Sequence, residues 1–591
     1  GVQTCALPIS LNISVGSSEV EFDDVIGGGT NGSLGAITIT GALDLDAALT
    51  SATSLSVSTT SNLGANVTTS GTQTYTGAVT LSTNVTITTT DSAITFSDSI
   101  DGRYALSINS GAGAVSFTGA LGTNAALYSL SVTSTHATGI TLSGDVTTIG
   151  TQNYSGAVTL GGNVTLTSVG QAAATTTYTS TSSQTVVISD TQIVSAIEVK
   201  GAGAGWGARD GAGSAVKGGN AGQYKVLVSL TDVTLTIEAG EGGISGLQTS
   251  GSGNPGGGTG GTNGILISGS AANGGDGGGV GPSGGSGGGG GGGAASIVKI
   301  GDSTYIVAGG AGGGGGAGNA TTSSSTNTPG TNTYVAYGTS YTGQDGQDCC
   351  LSGTNDGGGA GGGGGGYYGG TQNGLNKASE SYGKGANPGG NGVIGDLTYT
   401  VDTDTTYTPS YSSSYSTGAG PSGSIIITYD AISSGITFGG TVNGANNLTT
   451  VVTNGGETTF SGIVGGSSAV GAIDITGALN LDAAITSATS LSVSTTSNLG
   501  ASVTTSGTQT YTGATTLSAD TTLTSTGSTI SYASINGAYD LTLVAGAAQT
   551  LSGAIGASTA LDTVNISTTS GNLTLGANIT VSGTGTDAMI F

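Results

Sequence analysis

The chain has 591 residues, of which only 7% are charged; Lys and Arg number 8 against 33 Asp and Glu, for a formal charge of −25. An ordinary globular chain carries about 25% charged residues, and so sparse and acidic a composition excludes an electrostatic footprint for nucleic acid or anionic lipid. No run of about 18 apolar residues is present, which excludes a membrane-spanning helix in this fragment, and the like charge suits an exposed, wet, extracellular setting.

Residues 1–10 (GVQTCALPIS) match the conceptual translation of a common sequencing adapter. They are expected to be an artefact of a metagenomic assembly cut at its 5′ end, so Cys5 carries no meaning. The closing AMIF stops inside a repeat-like stretch, and truncation is expected there too.

From residue 11 to 171 the pattern has period two. Ile37-Thr-Ile39, Leu43-Asp-Leu45, Leu55-Ser-Val57, Leu106-Ser-Ile108 and Ile140-Thr-Leu142 alternate apolar with polar. Alternate side chains of a strand face opposite ways, so each predicts a short half-buried strand, with Gly and Asn marking the corners between them. Ile100 to Leu121, and later Val442 to Val464, recur at about one solenoid coil's length. A longer repeat lies above this. Gly35–Val79 and Gly471–Thr515 align without gaps and differ only at Thr38/Asp474, Asp44/Asn480, Leu49/Ile485, Asn66/Ser502 and Val79/Thr515, and Gly150–Leu160 is a third, partial copy. One coil buries too few side chains to offset the entropy of ordering it, so coils must stack. The expected fold is all-β, a parallel β-helix over 11–171 and again over 431–591. The rival is a string of immunoglobulin-like sandwiches, because Gly71 to Gly150 spans about one such domain. The short period and the lack of Trp in these segments favour the solenoid.

Residues 172–430 change composition. Gly runs fill Gly287–Gly293, Gly312–Gly316 and Gly361–Gly366, yet strand-like islands stand between them: Gln184–Ile188, Ile193–Lys200, Tyr224–Leu230, Val233–Ala239, Ser296–Ile300, Tyr305–Ala308 and Ser424–Tyr429. A flexible linker needs no such islands, so a folded inserted domain is expected. Chains without Cβ can pack backbone to backbone in extended three-residue turns; Ala at Ala311 or Ala360 is expected only at the surface of such a bundle.

Tyr334, Tyr337, Tyr341, Tyr367, Tyr368, Tyr382, Tyr399, Tyr407, Tyr411 and Tyr415 lie among Ser, Thr, Asn and Gly, a palette suited to recognition loops. They are candidate ligand contacts, with Trp206 beside Arg209 as a second; rings covering a glycine slab and a half-buried structural Trp are the structural alternatives. The adjacent Cys349 and Cys350 are a candidate vicinal disulfide or an incidental thiol pair, too few for a disulfide framework.

Nothing in the sequence assembles an active site. His136 is the only His, and the solenoid segments hold one Arg (Arg103) and no Lys, against the clustered charge that β-helix lyases and glycosidases need. Asp44/Asp46, Asp345/Asp348, Asp402/Asp404 and the stretch Asn273–Gly279 offer oxygen ligands for structural Ca²⁺, with solvated carboxylates as the default. No other cofactor is expected.

The strands of 11–171 and 431–591, above all GTQTYTGAVTLSTNVTIT, resemble the repeats of large bacterial adhesins of the filamentous haemagglutinin and autotransporter type. The resemblance implies right-handed β-helices that project a binding surface from the cell. The order IEVKGAGAG, TLTIEAGEGG, GGGGGGGAASIVKIGDSTYIVAGGAGGGGG, GGGAGGGGGGYYGG, GSIIITY is similar to glycine-rich domains of phage tail fibres, bacterial surface proteins and the anaplastic lymphoma kinase receptor family. It implies a small β-sandwich joined to a bundle of polyglycine helices. The expected function is a non-enzymatic bacterial surface adhesin, a solenoid stalk presenting a glycine-rich domain to a cell-surface glycan or protein. The alternatives are a phage tail-fibre receptor-binding protein and a structural S-layer or matrix protein.

Overall fold

Thr, Val and Ile alternating over three to five residues, punctuated by Gly and Asn, suit short pleated strands and little else. The computed structural model describes residues 9–28, 32–189, 191–208, 218–247, 257–265, 271–279, 288–313, 345, 392–394, 397, 399–407, 418–583 and 588–591, with the backbone alone at 392–394 and 403–407. The chain divides into two units, Gly1–Ala172 with Ala431–Phe591, and Ala173–Asp430.

The first unit is an all-parallel β-solenoid. One ladder runs Ile37, Leu55, Gln73, Ile94, Val115, Ile140, Val158, Val442. A second passes Leu43, Ser61, Val79, Ile100, Leu121 and Val146. A third passes Val67, Ile87, Ile108, Val132, Tyr154, Phe438 and Phe460. The expected steps Ile100–Leu121 and Val442–Val464 are both direct bridges. Coils are not uniform: Ile37 to Leu55 to Gln73 takes 18 residues each time, Gln73 to Ile94 to Val115 takes 21, and Val115 to Ile140 takes 25. Tandem immunoglobulin-like sandwiches are therefore excluded for these repeats, because every named strand pair of the solenoid is parallel and the ladders run from coil to coil.

Strands such as Val67–Thr69 and Val85–Thr89 alternate buried with outward residues, and one apolar core follows the ladders from coil to coil. Identical register stacks like on like. Tyr75, Phe96 and Phe117 lie nearly parallel at 4.9 and 5.4 Å between ring centres, and Tyr154, Phe438 and Phe460 repeat this at 5.5 and 5.1 Å.

The corners have their own recurring chemistry. Asp101, Asn443 and Asn536 each accept a backbone N–H from the bend of the next coil, at Asn124 (2.9 Å), Ser467 (3.0 Å) and Ser558 (2.9 Å). The residue after each is a glycine, and Gly102 shows why: its φ is +131°, and an added Cβ would stand 2.5 Å from the Leu81 carbonyl oxygen.

Outside the core, one face is unusually uniform. The outward residues beside the first ladder are Thr38 and Thr40, Ser56 and Ser58, Thr74 and Thr76, Thr95 and Ser97, Ser116 and Thr118, and Thr141 and Ser143. Strand pairing holds the first members of these pairs in register, and the backbone bonds from Ser58, Thr76, Ser97, Thr118 and Ser143 to the preceding coil continue that register through the second.

The second unit holds two five-stranded antiparallel sheets. One orders Ala174–Tyr178, Ser424–Tyr429, Val194–Lys200, Ala221–Leu230 and Thr400–Tyr407; the other orders Gln184–Ile188, Val233–Glu238, Ser296–Ile300, Thr304–Ala308 and Gly392–Ile394. Ile197, Val199, Tyr224 and Ile427 of the first share a core with Leu235, Ile237, Val298 and Ile306 of the second. All seven strand-like islands read from the sequence are strands, with ends shifted by up to three residues. Ala174–Tyr178, Gly392–Ile394 and Thr400–Tyr407 are further strands that the sequence reading did not contain.

Between the strands run extended glycine segments whose backbones bond to one another at three-residue steps. Ala202, Gly205 and Ala208 N–H donate to the carbonyls of Ala294, Gly291 and Gly288 (3.1, 2.8 and 2.9 Å), and Gly289, Gly292 and Ala295 donate to Gly278, Gly275 and Ala272 (3.0, 2.9 and 3.0 Å). At Gly291 the spacing leaves no room for a side chain: an added Cβ would stand 2.0 Å from the Thr259 carbonyl oxygen. Ala311 corrects an expectation. It is fully buried and packs with Ala204 and Ala221, so a methyl fits inside where neighbouring segments pool their space, and not only at the surface. Ala360 lies outside the described residues.

Candidate functional site

Most of the tyrosine-rich candidate surface, namely Tyr334, Tyr337, Tyr341, Tyr367, Tyr368, Tyr382, Tyr411 and Tyr415, lies outside the described residues, as do Cys349, Cys350 and Asp348. Tyr407 ends the strand Thr400–Tyr407, with its side chain outside the description, and Tyr399 is exposed. Trp206 is buried, 7% exposed, with its main-chain N–H donating to Ser245 Oγ (3.0 Å) and its carbonyl accepting from Gly246. The indole is thus packing among glycine segments and leaves little ring face for a ligand.

Among the acidic candidates, Asp46 meets two carboxylates that the sequence reading did not single out. Glu21, Asp23 and Asp46 are exposed and bring carboxylate oxygens within 4.8 Å of one another. The parallel pairing of Phe22 with Leu45 causes this, since it sets the residues on either side of each in line. The negative charge of Asp23 first, then Asp44 and Asp46, holds the Glu21 carboxyl above its ordinary range. Three oxygen donors suit a hard cation such as Ca²⁺, but the long repeat does not keep them. Thr459, Ser461 and Asp482 take the corresponding places, with Ser461 Oγ donating to Asp482 (3.2 Å). Asn62 binds Asp44 (2.8 Å). In Asn273–Gly279, Asp276 accepts the Gly260 N–H (2.7 Å) while its own N–H donates to Asp345 (2.8 Å), so both carboxylates serve the glycine segments. Asp402 pairs with Lys225 at 2.8 Å.

His136 stands exposed in the longest of the coils traced above, its Nδ1 2.9 Å from Thr138 Oγ1 and its N–H donating to Ser134 Oγ. These are local turn contacts, and among the described residues no carboxylate bonds the ring.

The most ordered polar chemistry was missed as chemistry and seen only as a repeat. In GTQ-x-Tyr, Gln73, Gln152 and Gln509 are fully buried. Their Nε2 groups donate to the carbonyls of Thr88, Thr167 and Thr524 (2.9, 2.8 and 2.7 Å) and to the hydroxyls of Thr69, Thr148 and Thr505 (3.1, 3.3 and 3.3 Å). The Tyr75, Tyr154 and Tyr511 hydroxyls donate to the Gln Oε1 atoms at 2.9, 3.0 and 3.1 Å. Burial raises all three phenols far above their ordinary range. The signal that finds this network is the pairing of a period-two inward Gln with an inward Tyr, since two polar groups in a core position must satisfy each other. It is a closed internal network that offers no group to a ligand.

The chain matches no protein-family model and no curated protein.

Proposed function

We propose that the chain is a non-enzymatic bacterial surface adhesin in which the solenoid is the scaffold and the second unit the recognition element. The observation that carries the reading is the continuity of the scaffold around that unit. Gln152–Ser155 pairs directly with Ile436–Phe438, and Val164–Ser168 with Leu448–Val452, as though residues 173–430 were absent. A stack whose ladders continue across an interruption does not need the excursion to complete its strand pairing, which suits a presented element. The tyrosine-rich stretch falls inside this excursion.

Two finer readings belong with it. The solenoid is taken as right-handed, as crossovers between parallel strands nearly always are. The second unit is taken as a β-sandwich with a polyglycine-helix bundle, supported by its shared two-sheet core and its three-residue hydrogen-bond steps. Those steps also favour a second reading, a phage tail-fibre tip, because the glycine-rich resemblance includes such fibres. Neighbouring genes separate the two: a translocator beside the gene supports the adhesin, and tail-assembly genes support the fibre.

The test is retention of the full chain on arrayed glycans and on whole cells, compared with the chain lacking 173–430. Binding that vanishes with the deletion is the expected result. Equal binding by both would end the recognition role of the second unit, and no binding by either would leave a structural matrix protein.

A further inference from the structure

We infer that the uniform Ser/Thr face of the solenoid is a binding surface for a ligand that is itself a lattice of water, namely ice. The inference is independent of the reading given to the second unit.

Three features of the face set the ligand. The first is geometry. Six successive coils, from Thr38 and Thr40 to Thr141 and Ser143, each present two hydroxyls in register. Parallel strands place them about 4.8 Å apart between coils and about 6.6 Å apart along each strand. A ligand with no repeat of its own would use one or two of these groups and leave the rest idle. One that repeats in both directions engages them all, and many weak contacts at fixed spacing add to a firm hold.

The second feature is what the face lacks. Its twelve positions hold no charge, no amide and no aromatic ring, whereas the two outward columns beside the third ladder are broken, one by Asn109 and the other by Asn153, Asn480 and Asn498. An ionic ligand finds no counter-charge, and a sugar ring finds no aromatic face on which to stack. What remains is a plane of donors and acceptors mixed with Thr methyls.

The third feature is availability. Among the described residues, Ser58 is the only one of the twelve whose hydroxyl oxygen is engaged within the protein, where it accepts the Gly41 N–H at 3.0 Å. The others are left to water, and they are half-buried or exposed, so they face solvent. β-Branched Thr is stiff at χ1, so its hydroxyls are held in place before the ligand arrives and little side-chain entropy is lost on binding. The second copy of the long repeat keeps five of the six corresponding hydroxyls, Thr476, Ser492, Ser494, Thr510 and Thr512, but the array is shorter there. Asp474 stands where Thr38 does, and Ala533 ends the matching column.

The experiment uses the full chain. Ice crystals grown in its presence are examined for faceting and for a gap between melting and freezing, and the fluorescently labelled chain is tested for uptake onto a growing single crystal of ice. Thr95→Tyr places a bulky ring at the centre of the face, and Thr437→Tyr places the same ring on one of the two outward columns beside the third ladder. Faceted crystals are expected with the natural chain and with Thr437→Tyr. Thr95→Tyr is expected to lower the freezing gap at least about tenfold, as for a multivalent face that loses its middle contacts. If Thr95→Tyr fails to fold, Thr95→Val keeps the shape, removes one hydroxyl and is expected to narrow the gap. Round, unfaceted crystals with the natural chain would overturn the inference. So would equal loss in Thr95→Tyr and Thr437→Tyr, or retention on an insoluble neutral polysaccharide through Thr95 without retention on ice.

Discussion

The two units satisfy the same backbone demand by opposite means. In the solenoid, each strand pairs with the coils before and after it, and side chains then fill the interior, stack ring on ring and close the corners. In the second unit's glycine segments, backbone bonds to backbone at every third residue, and at many positions a neighbour's backbone fills the place of a side chain. The consequence is a difference in tolerance. An apolar position of the solenoid core needs only a side chain of suitable size, and so Leu49 and Ile485 hold equivalent buried places in the two copies. A glycine whose absent Cβ is filled by a neighbour's carbonyl accepts no substitute.

That contrast is sharpest for Gly291→Val. The first added carbon would stand 2.0 Å from Thr259 O and 2.4 Å from Thr259 C, both backbone atoms that cannot swing aside. The expected cost to the second unit exceeds about 4 kcal/mol, the range reserved for severe steric and cavity changes. Hydrogen exchange should show Gly205 and Gly258 losing protection while Ile94 and Val115 keep theirs. Retained protection at Gly205 would mean that the segments are loosely held and the contrast is false.

Alkali probes the other side. Tyr75, Tyr154 and Tyr511 have phenols raised by burial. A raised folded value means that the native state keeps its proton after the unfolded chain, near pH 10, has lost it. The stability is therefore fully present below about pH 10 and is lost as pH rises beyond it, by about 1.4 kcal/mol per pH unit for each tyrosine. Together the three amount to about 4 kcal/mol over the first unit above that point. Urea midpoints between pH 8 and 11 should fall accordingly, and the triple Tyr→Phe variant should flatten the decline.

A single network is worth less. Gln152→Leu leaves the Tyr154 hydroxyl and the Thr167 carbonyl buried without their partner, an expected loss of about 2–3 kcal/mol. The double change Gln152→Leu with Tyr154→Phe removes the stranded hydroxyl and should recover part of it. No recovery would show that the network acts as volume alone.

How much of this was legible follows from where the physics is local. Alternation at Ile37-Thr-Ile39 and the step from Ile100 to Leu121 are visible because period and burial are properties of neighbouring residues. Ala174–Tyr178 escaped notice because four of its five residues are exposed, and a strand without an inward face has no alternation to read. The Glu21–Asp23–Asp46 cluster escaped because its members meet only through the register of two coils. Ala311 was misplaced because the space for its methyl is made by Ala204 and Ala221, far away in sequence.

The smallest expected effect is the most demanding test of the comparison, because it asks whether the solenoid depends on the second unit at all. Gln171 and Ile432 exchange both backbone hydrogen bonds, at 2.9 and 2.8 Å, as an antiparallel bridge. If 173–430 is deleted and Ala172 joined to Ala431, these two residues become a two-residue hairpin turn. Ala172→Asn with Ala431→Gly then supplies the pair that such a turn prefers. All three ladders already cross this point, through Gln152–Ile436, Val158–Val442 and Val164–Leu448. The shortened chain should therefore keep its solenoid stability within about 1 kcal/mol, the scale on which loop length alone acts. Urea unfolding of the two chains, followed by hydrogen exchange at Val158 and Val442, measures this. Exchange that rises at Val442 after the deletion would mean that the 258 residues between the coils hold them together, and that the scaffold is not indifferent to what it carries.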